Sequence, residues 1–363
     1  MSSMRLLFAA ALLVSCAAKA APADGAIVSR APCPGHSGDY AGAVERFEAT
    51  RRAVMAEGAE ATLREPSKLL DPKFRASHER GRKEIAAQKP IDQEAWAKLY
   101  RSGLYRCERI VYGSDGLKVV AWSLRSTQAK EPLPILMFLR GGNRSLGMVG
   151  DRTLSLLLAG YADAGYLVVA PQYRGVDGGE GKDEFAGADV HDVLNAASVA
   201  RKLQPAPPPG LYVYGVSRGG METYVALRAG LQADAAAVHA GPTDLQAVRA
   251  DRPDMEEVYR TNIPDYDAHK AEAIASRSAI GWAEELKAPL LLLHGTADWR
   301  VPTSDSLRMG MRLLELKRDY QMVIFAGDDH GLTKNQPEVH RQVVRWFEAH
   351  RPQRPDEAAR AAP

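Results

Sequence analysis

The chain has 363 residues, 45% of them hydrophobic, with 47 basic and 45 acidic side chains and a formal net charge of +2. That is enough apolar material for a sizeable core and suits one α/β domain with additions. The near-zero charge, with no basic block or aromatic-interleaved basic stripe, argues against a nucleic-acid partner.

Met1 to Arg5 supplies a positive start, Leu6 to Val14 an apolar run, and Ala18-Lys19-Ala20 a small-residue cleavage site before Ala21. Residues 1–20 therefore read as a secretory signal peptide. The apolar run is far shorter than the roughly 20 residues needed to cross a bilayer. Leu13-Val14-Ser15-Cys16 also fits a lipobox, in which Cys16 would carry a lipid anchor, so two processing routes are open. Both place the domain outside the cytoplasm, in the periplasm or secreted, and both leave Cys33 and Cys107 as an even pair suited to a disulfide.

Residues 21–104 are expected to form a linker, rich in Ala, Pro and Gly up to Gly38, and then a small helical extension punctuated by Pro66, Pro72 and Pro90. The main α/β domain is expected over 105–352, with a flexible tail over 353–363. Arg106 to Tyr112 and Leu117 to Leu124 flank Gly113-Ser114-Asp115-Gly116 as a β-hairpin. Ile135 to Leu139 is an apolar strand running into Arg140-Gly141-Gly142-Asn143. A helical segment then precedes the strand Tyr166 to Pro171. In the loop beyond, Arg174 is expected to pair with Asp183 or Glu184, and the segment Asp189 to Leu203 has helical spacing.

Leu211 to Tyr214 is a short β-branched and aromatic strand that gives way to a helix at Gly215-Val216-Ser217-Arg218-Gly219. This G-x-S-x-G string is the nucleophile-elbow pattern: the serine needs a strained backbone, with no room for side chains two residues either side. Ala235 to Ala240 is the next strand, followed by Asp244 as a helix N-cap. Residues 245–284 are polar and helical, an insertion placed where hydrolases carry a lid. Pro289 to His294 is another buried strand and ends near Asp298; Tyr320 to Phe325 is the last, and empties into a glycine-flanked loop holding His330. Asp298 lies 298 − 217 = 81 residues after Ser217, and His330 lies 330 − 298 = 32 residues further on. Ser, then Asp, then His is the chain order of α/β-hydrolase triads. His294, inside a strand end, is expected to be packed. Strands alternating with helices demand a mostly parallel, doubly wound sheet, so the fold class is α/β. The sequence offers no metal motif, and no cofactor is expected.

With these residues placed, the chain resembles the catalytic domain of the prolyl oligopeptidase family of serine peptidases, an α/β-hydrolase branch, from about Arg106 to His350. The likeness rests on GVSRGGMETY at 215–224, the RGG turn at 140–142, DEFAGADVHDV at 183–193, LLLHGTADWRVP at 291–302 and AGDDHGL at 326–332. It implies a Ser217, Asp298 and His330 triad, with the backbone N–H groups of Gly142 and Arg218 as the oxyanion hole. Arg140, Tyr173 and Trp299 are candidate substrate contacts. Larger members carry a β-propeller before this domain; the roughly 80 residues between the cleavage site and the hairpin are too few for one. Many members also place a Tyr hydroxyl in the oxyanion hole where this chain has Arg140. Peptide and small-ester hydrolysis both fit the triad, and a catalytically silent binding protein on the same fold is the reading from another class.

Overall fold

The computed structural model describes residues 21–64 and 66–352; the signal segment with Cys16 and the tail 353–363 lie outside the described residues. Nine strands form one sheet in the order β1-β2-β3-β5-β4-β6-β7-β8-β9. They are β1 (Ile27–Pro32), β2 (Tyr105–Ser114), β3 (Leu117–Ser126), β4 (Ile135–Leu139), β5 (Leu167–Pro171), β6 (Leu211–Val216), β7 (Ala235–His239), β8 (Leu290–Gly295) and β9 (Tyr320–Phe325). From β5 to β9 every pairing is parallel, while β1, β2, β3 and β5 pair antiparallel.

The apolar runs explain why the parallel strands are central. In β8, Leu291 and Leu293 join one core and Leu290 and Leu292 the core on the opposite face. A strand clad on both faces needs no polar alternation, which is why LLLL is tolerated here and would be a liability at an edge. Each such leucine is worth about 1.5–3 kcal/mol when fully buried. Helices α7 (Val190–Lys202), α8 (Arg218–Arg228) and α12 (Thr303–Glu315) contribute to one of these cores, and α13 (Gln336–Ala349) to the other.

The segment expected as a linker is not one. Ile27–Pro32 forms β1, paired antiparallel with β2 in the register Ala31 to Arg109. Its side chains are mostly exposed, so its composition lacks the signature of a buried strand. Pairing with β2 and the Cys33–Cys107 disulfide supply the order that local sequence does not. The helices that follow are α1 (Pro34–Ser37), α2 (Tyr40–Arg64), α3 (Pro72–Ala87) and α4 (Gln93–Arg101). Asp71 caps α3, accepting from the N–H of Lys73 at 2.8 Å, and Asp92 caps α4, accepting from that of Ala95 at 2.7 Å. Each satisfies a donor that the first turn leaves open.

Helices α5 (Asp151–Thr153) and α6 (Ala159–Asp163) flank a π-helical turn between β4 and β5. The insertion between β7 and β8 folds as α9 (Leu245–Asp251), α10 (Met255–Asn262) and α11 (Lys270–Arg277). Asp244 caps α9 as expected, accepting from Gln246 and Ala247. The insertion has a small core of its own, where Tyr259, Ile263, Tyr266 and Ile274 pack with Phe185 and with Met221 of α8. It is therefore seated directly on the helix that follows Ser217.

Candidate active site

Strand order alone brings the reactive loops together. β4 and β6 are parallel neighbours with Leu139 opposite Gly215, so the turn after β4 and the elbow after β6 leave the sheet side by side. Winding proceeds to β5 on one side of β4 and to β6 on the other, and the carboxyl ends flanking such a switch point form a crevice. The loops after β7, β8 and β9 follow along the same rim.

Ser217 sits at φ 57°, ψ −124°, a conformation costly for a residue with a Cβ. A Cβ on Gly219 would fall 1.9 Å from the Leu139 carbonyl oxygen, and one on Gly215 would fall 2.2 Å from the Gly219 carbonyl oxygen. The elbow is thus a glycine-only geometry, as its sequence implies. Gly141 lies against the serine, with its Cβ position 3.1 Å from the Ser217 Cβ. Gly142 has φ +71°, and a Cβ there would collide with the Leu146 carbonyl oxygen at 2.1 Å.

His330 Nδ1 lies 2.7 Å from Asp298 Oδ2. Because the carboxylate only accepts, Nδ1 carries the proton and Nε2 is left as the basic atom. Asp298 is fixed by more than His330. Its Oδ1 accepts from the N–H groups of Arg300 at 2.8 Å and Val301 at 3.1 Å, and His294 Nε2 approaches Oδ2 at 3.0 Å. Burial alone would raise the Asp298 pKa, but the His294 and His330 bonds outweigh it and hold the carboxyl well below the ordinary range. His294 is packed, as its place in a strand predicts, with Nδ1 accepting from Ser306 Oγ at 2.7 Å. Its hold on Asp298 has no signal in the sequence beyond an i, i+4 spacing.

A further histidine missed by sequence reasoning joins the two reactive loops. His239, the last residue of β7, accepts the Ser217 N–H at its carbonyl at 2.7 Å and donates from Nε2 to the His330 carbonyl at 3.0 Å. The Tyr214 hydroxyl lies 3.0 Å from its Nδ1 and donates to it. Burial, then the nearby His330, pull its pKa down to about 3, so this imidazole is neutral. The Ser217 hydroxyl makes no hydrogen bond among the described residues, so the contact from Ser217 to His330 Nε2 is not closed in this conformation. Such bonds are often long before substrate arrives.

Arg218 ties the elbow to the turn. Its Nη1 donates to Asp183 at 2.6 Å and to the Gly142 carbonyl at 3.2 Å, while Nη2 pairs with Asp189. Asp183 thus belongs to Arg218. Arg174, expected to pair with Asp183 or Glu184, instead holds Asp192 and Asp115, each at 2.8 Å, because the first turn of α7 points Asp192 at it. Beneath Arg218, Glu222 is buried with neither carboxyl oxygen hydrogen-bonded and with Arg218 Nη2 3.7 Å away; burial and then Asp189 push its pKa well up.

Two candidate substrate contacts point the wrong way. Arg140 is 1% exposed, and its guanidinium donates to the carbonyls of Gln172, Gly141, Leu146 and Arg144 at 2.9–3.2 Å. Burial, then the charge of Arg218, lower its pKa to about 10. Tyr173 is fully buried and donates to the Arg140 carbonyl at 3.2 Å. Both set the shape of the turn from below. Trp299 is half-buried with its indole N–H committed to Glu84 of α3, against which Arg300 also pairs.

Residues 152–352 match the prolyl oligopeptidase family. The chain belongs to that family. An uncharacterised peptidase of Bacillus subtilis, YtmA, is 27% identical over 67% of this chain and 93% of its own length. Dipeptidyl-peptidase 5 of Porphyromonas endodontalis is 26% identical over 71% of this chain, but only 39% of that protein is covered. Among solved structures, the acylaminoacyl peptidase of Pyrococcus horikoshii superposes with a TM-score of 0.59 at 22% identity, covering 69% of this chain and 42% of that one. A Pyrococcus furiosus esterase reaches 0.55 at 14% identity over 69% of this chain and 94% of its own. These last two likenesses show the α/β-hydrolase fold. The family match and the peptidase relatives make the chain a serine peptidase, one that spans well under half the length of its longer relatives.

Proposed function

We propose that the protein hydrolyses peptide bonds through an acyl-enzyme on Ser217. His330 Nε2 takes the serine proton, Asp298 holds the imidazole in the required tautomer and stabilises its charged form, and the N–H groups of Gly142 and Arg218 receive the oxyanion. The observation that carries this reading is the His330–Asp298 bond of 2.7 Å on a loop tethered, through His239, to the backbone of Ser217. The family and the peptidase names of its relatives support peptides over esters. The same triad would serve a carboxylesterase of small acyl esters. Turnover of matched peptide amides and acyl esters separates the two, and faster amide turnover is expected. Ser217→Ala is expected to remove activity by a factor of about 10⁴–10⁶ and to abolish labelling by a fluorophosphonate. Labelling or turnover retained in Ser217→Ala overturns the assignment of the nucleophile, whereas a parent protein that does not label at all favours the silent-fold reading.

We further propose that the protein works outside the cytoplasm. The leading segment and the disulfide between Cys33 and Cys107 support this. Radiolabelled palmitate incorporation in cells, lost in Cys16→Ser, would select the lipid-anchored route over simple cleavage after Ala20.

A further inference from the structure

The helical pair α2 and α3 roofs the ground beside the reactive loops. Glu84 of α3 binds Trp299 and Arg300 just beyond the triad acid, and Glu57 of α2 accepts from Ser145 Oγ at 2.9 Å beside the oxyanion turn. Ser77 of α3 donates to Asp254 at 2.7 Å, just before α10 of the insertion. Between roof, insertion and turn lies a cavity of about 210 Å³. Its wall includes Asn143 and Arg144, which follow the oxyanion glycine directly, and Arg300, two residues past Asp298.

The charges on this wall are unequally matched. Asp254 pairs with Arg252 at 2.5 Å and Glu257 with Lys68 at 3.0 Å, Arg300 is spent on Glu84, and Glu57 accepts from the Ser145 hydroxyl. Two arginines of the lining, Arg82 and Arg144, have no ion-pair partner among the described residues; Arg82 is exposed, Arg144 half-buried. The Arg144 N–H donates to Asp183 at 2.8 Å and its carbonyl accepts from Arg140 at 3.2 Å, which fixes its backbone beside the turn. Apolar Val54, Phe74, Ile85 and Val258 complete the lining and suit an aliphatic or aromatic side chain.

Resting on the peptidase reading, we propose that this cavity takes the carboxylate-bearing end of a short peptide substrate. Arg144 receives the carboxylate, and the apolar wall takes the side chain beside it. A half-buried cation without an ion-pair partner is costly alone and is relieved by such a ligand. Val54, Phe74 and Ile85 of the roof form one wall of this cavity.

The test separates binding from turnover. Short peptides of one sequence, ending in a free carboxylate or a carboxamide, are titrated calorimetrically into the Ser217→Ala protein. The carboxylate form is expected to bind about tenfold more tightly, a ratio typical of one charge-assisted contact. Arg144→Gln in the same background should bring the ratio close to one, and Arg144→Lys should restore part of it. Equal affinities in the parent protein, or a preference that survives Arg144→Gln, overturn the proposal. A carboxamide peptide carrying a terminal Glu that binds as tightly as the free acid would support the site and assign the carboxylate to a side chain. Binding is read without hydrolysis, so a protein that binds the acid selectively but cleaves no amide would sink the peptidase reading alone.

Discussion

The sheet rim and the helical roof are built on different physics. The rim is over-determined: Ser217, Asp298 and His330 sit on loops leaving parallel strands in fixed register, the backbones of Ser217 and His330 are both tied to His239, and that of Ala297, beside Asp298, is tied to Asp328. The roof is attached mainly by polar contacts, such as Glu84 to Arg300, Ser145 to Glu57 and Lys68 to Glu257, many of them open to solvent. Chemistry is therefore expected to reside in the rim and substrate choice in the roof, whose seams tolerate change because little core depends on them.

The contrast would break first at Asp298. Asp298→Asn should lower kcat by about 10⁴, as loss of the orienting carboxylate does in serine triads, while the melting temperature and far-ultraviolet spectrum stay near those of the parent. A loss under tenfold would show that His294 and the backbone position His330 unaided.

A second expectation concerns the strap joining the two regions. Cys33 and Cys107 enclose a loop of 74 residues containing α2 and α3. On chain-entropy grounds Cys33→Ser should destabilise the fold by about 4 kcal/mol, measured by urea unfolding, with turnover per folded molecule unchanged. A matching loss of turnover would mean that the roof helps organise the rim.

The pH dependence of stability sharpens the picture of the rim. His239 has a native pKa of about 3, against about 6.5 when unfolded. Between those values the unfolded chain binds the proton and the native chain does not, so stability rises with pH across that window and falls on acidification. His239→Gln should make this acid limb shallower by up to about 1.4 kcal/mol per pH unit. An unchanged slope would place the acid sensitivity elsewhere. Smallest of all, Glu84→Ala should cost under about 1 kcal/mol, since its partners are partly solvated. A larger loss would show the seam to be structural.

Much of the rim was legible in the sequence because its constraints are local. Glycines two residues either side of Ser217, an apolar strand before each reactive loop, and the order Ser, Asp, His all survive in one dimension. What stayed hidden depends on distant pairing. β1 reads as a linker because an exposed edge strand buries too little to leave an apolar pattern. Arg140 and Tyr173 look like substrate contacts from their place at the turn, yet both side chains lie beneath it, where backbone carbonyls need donors. Arg174 finds Asp192 rather than the nearer Asp183, which Arg218 claims. His239 and His294 carry no motif, and only the sheet register shows what they touch.

Arg140 carries one more implication. Its guanidinium is held by carbonyl dipoles, with no carboxylate hydrogen-bonded to it. Carbonyls do not titrate, so these contacts hold the turn's contour through acid and neutral conditions alike. The titratable tie to the same turn is Asp183, which accepts from the Arg144 N–H and from Arg218. Burial would raise its pKa, but the Arg218 charge and these bonds outweigh it and hold the carboxyl below the ordinary range, so this tie also outlasts mild acid.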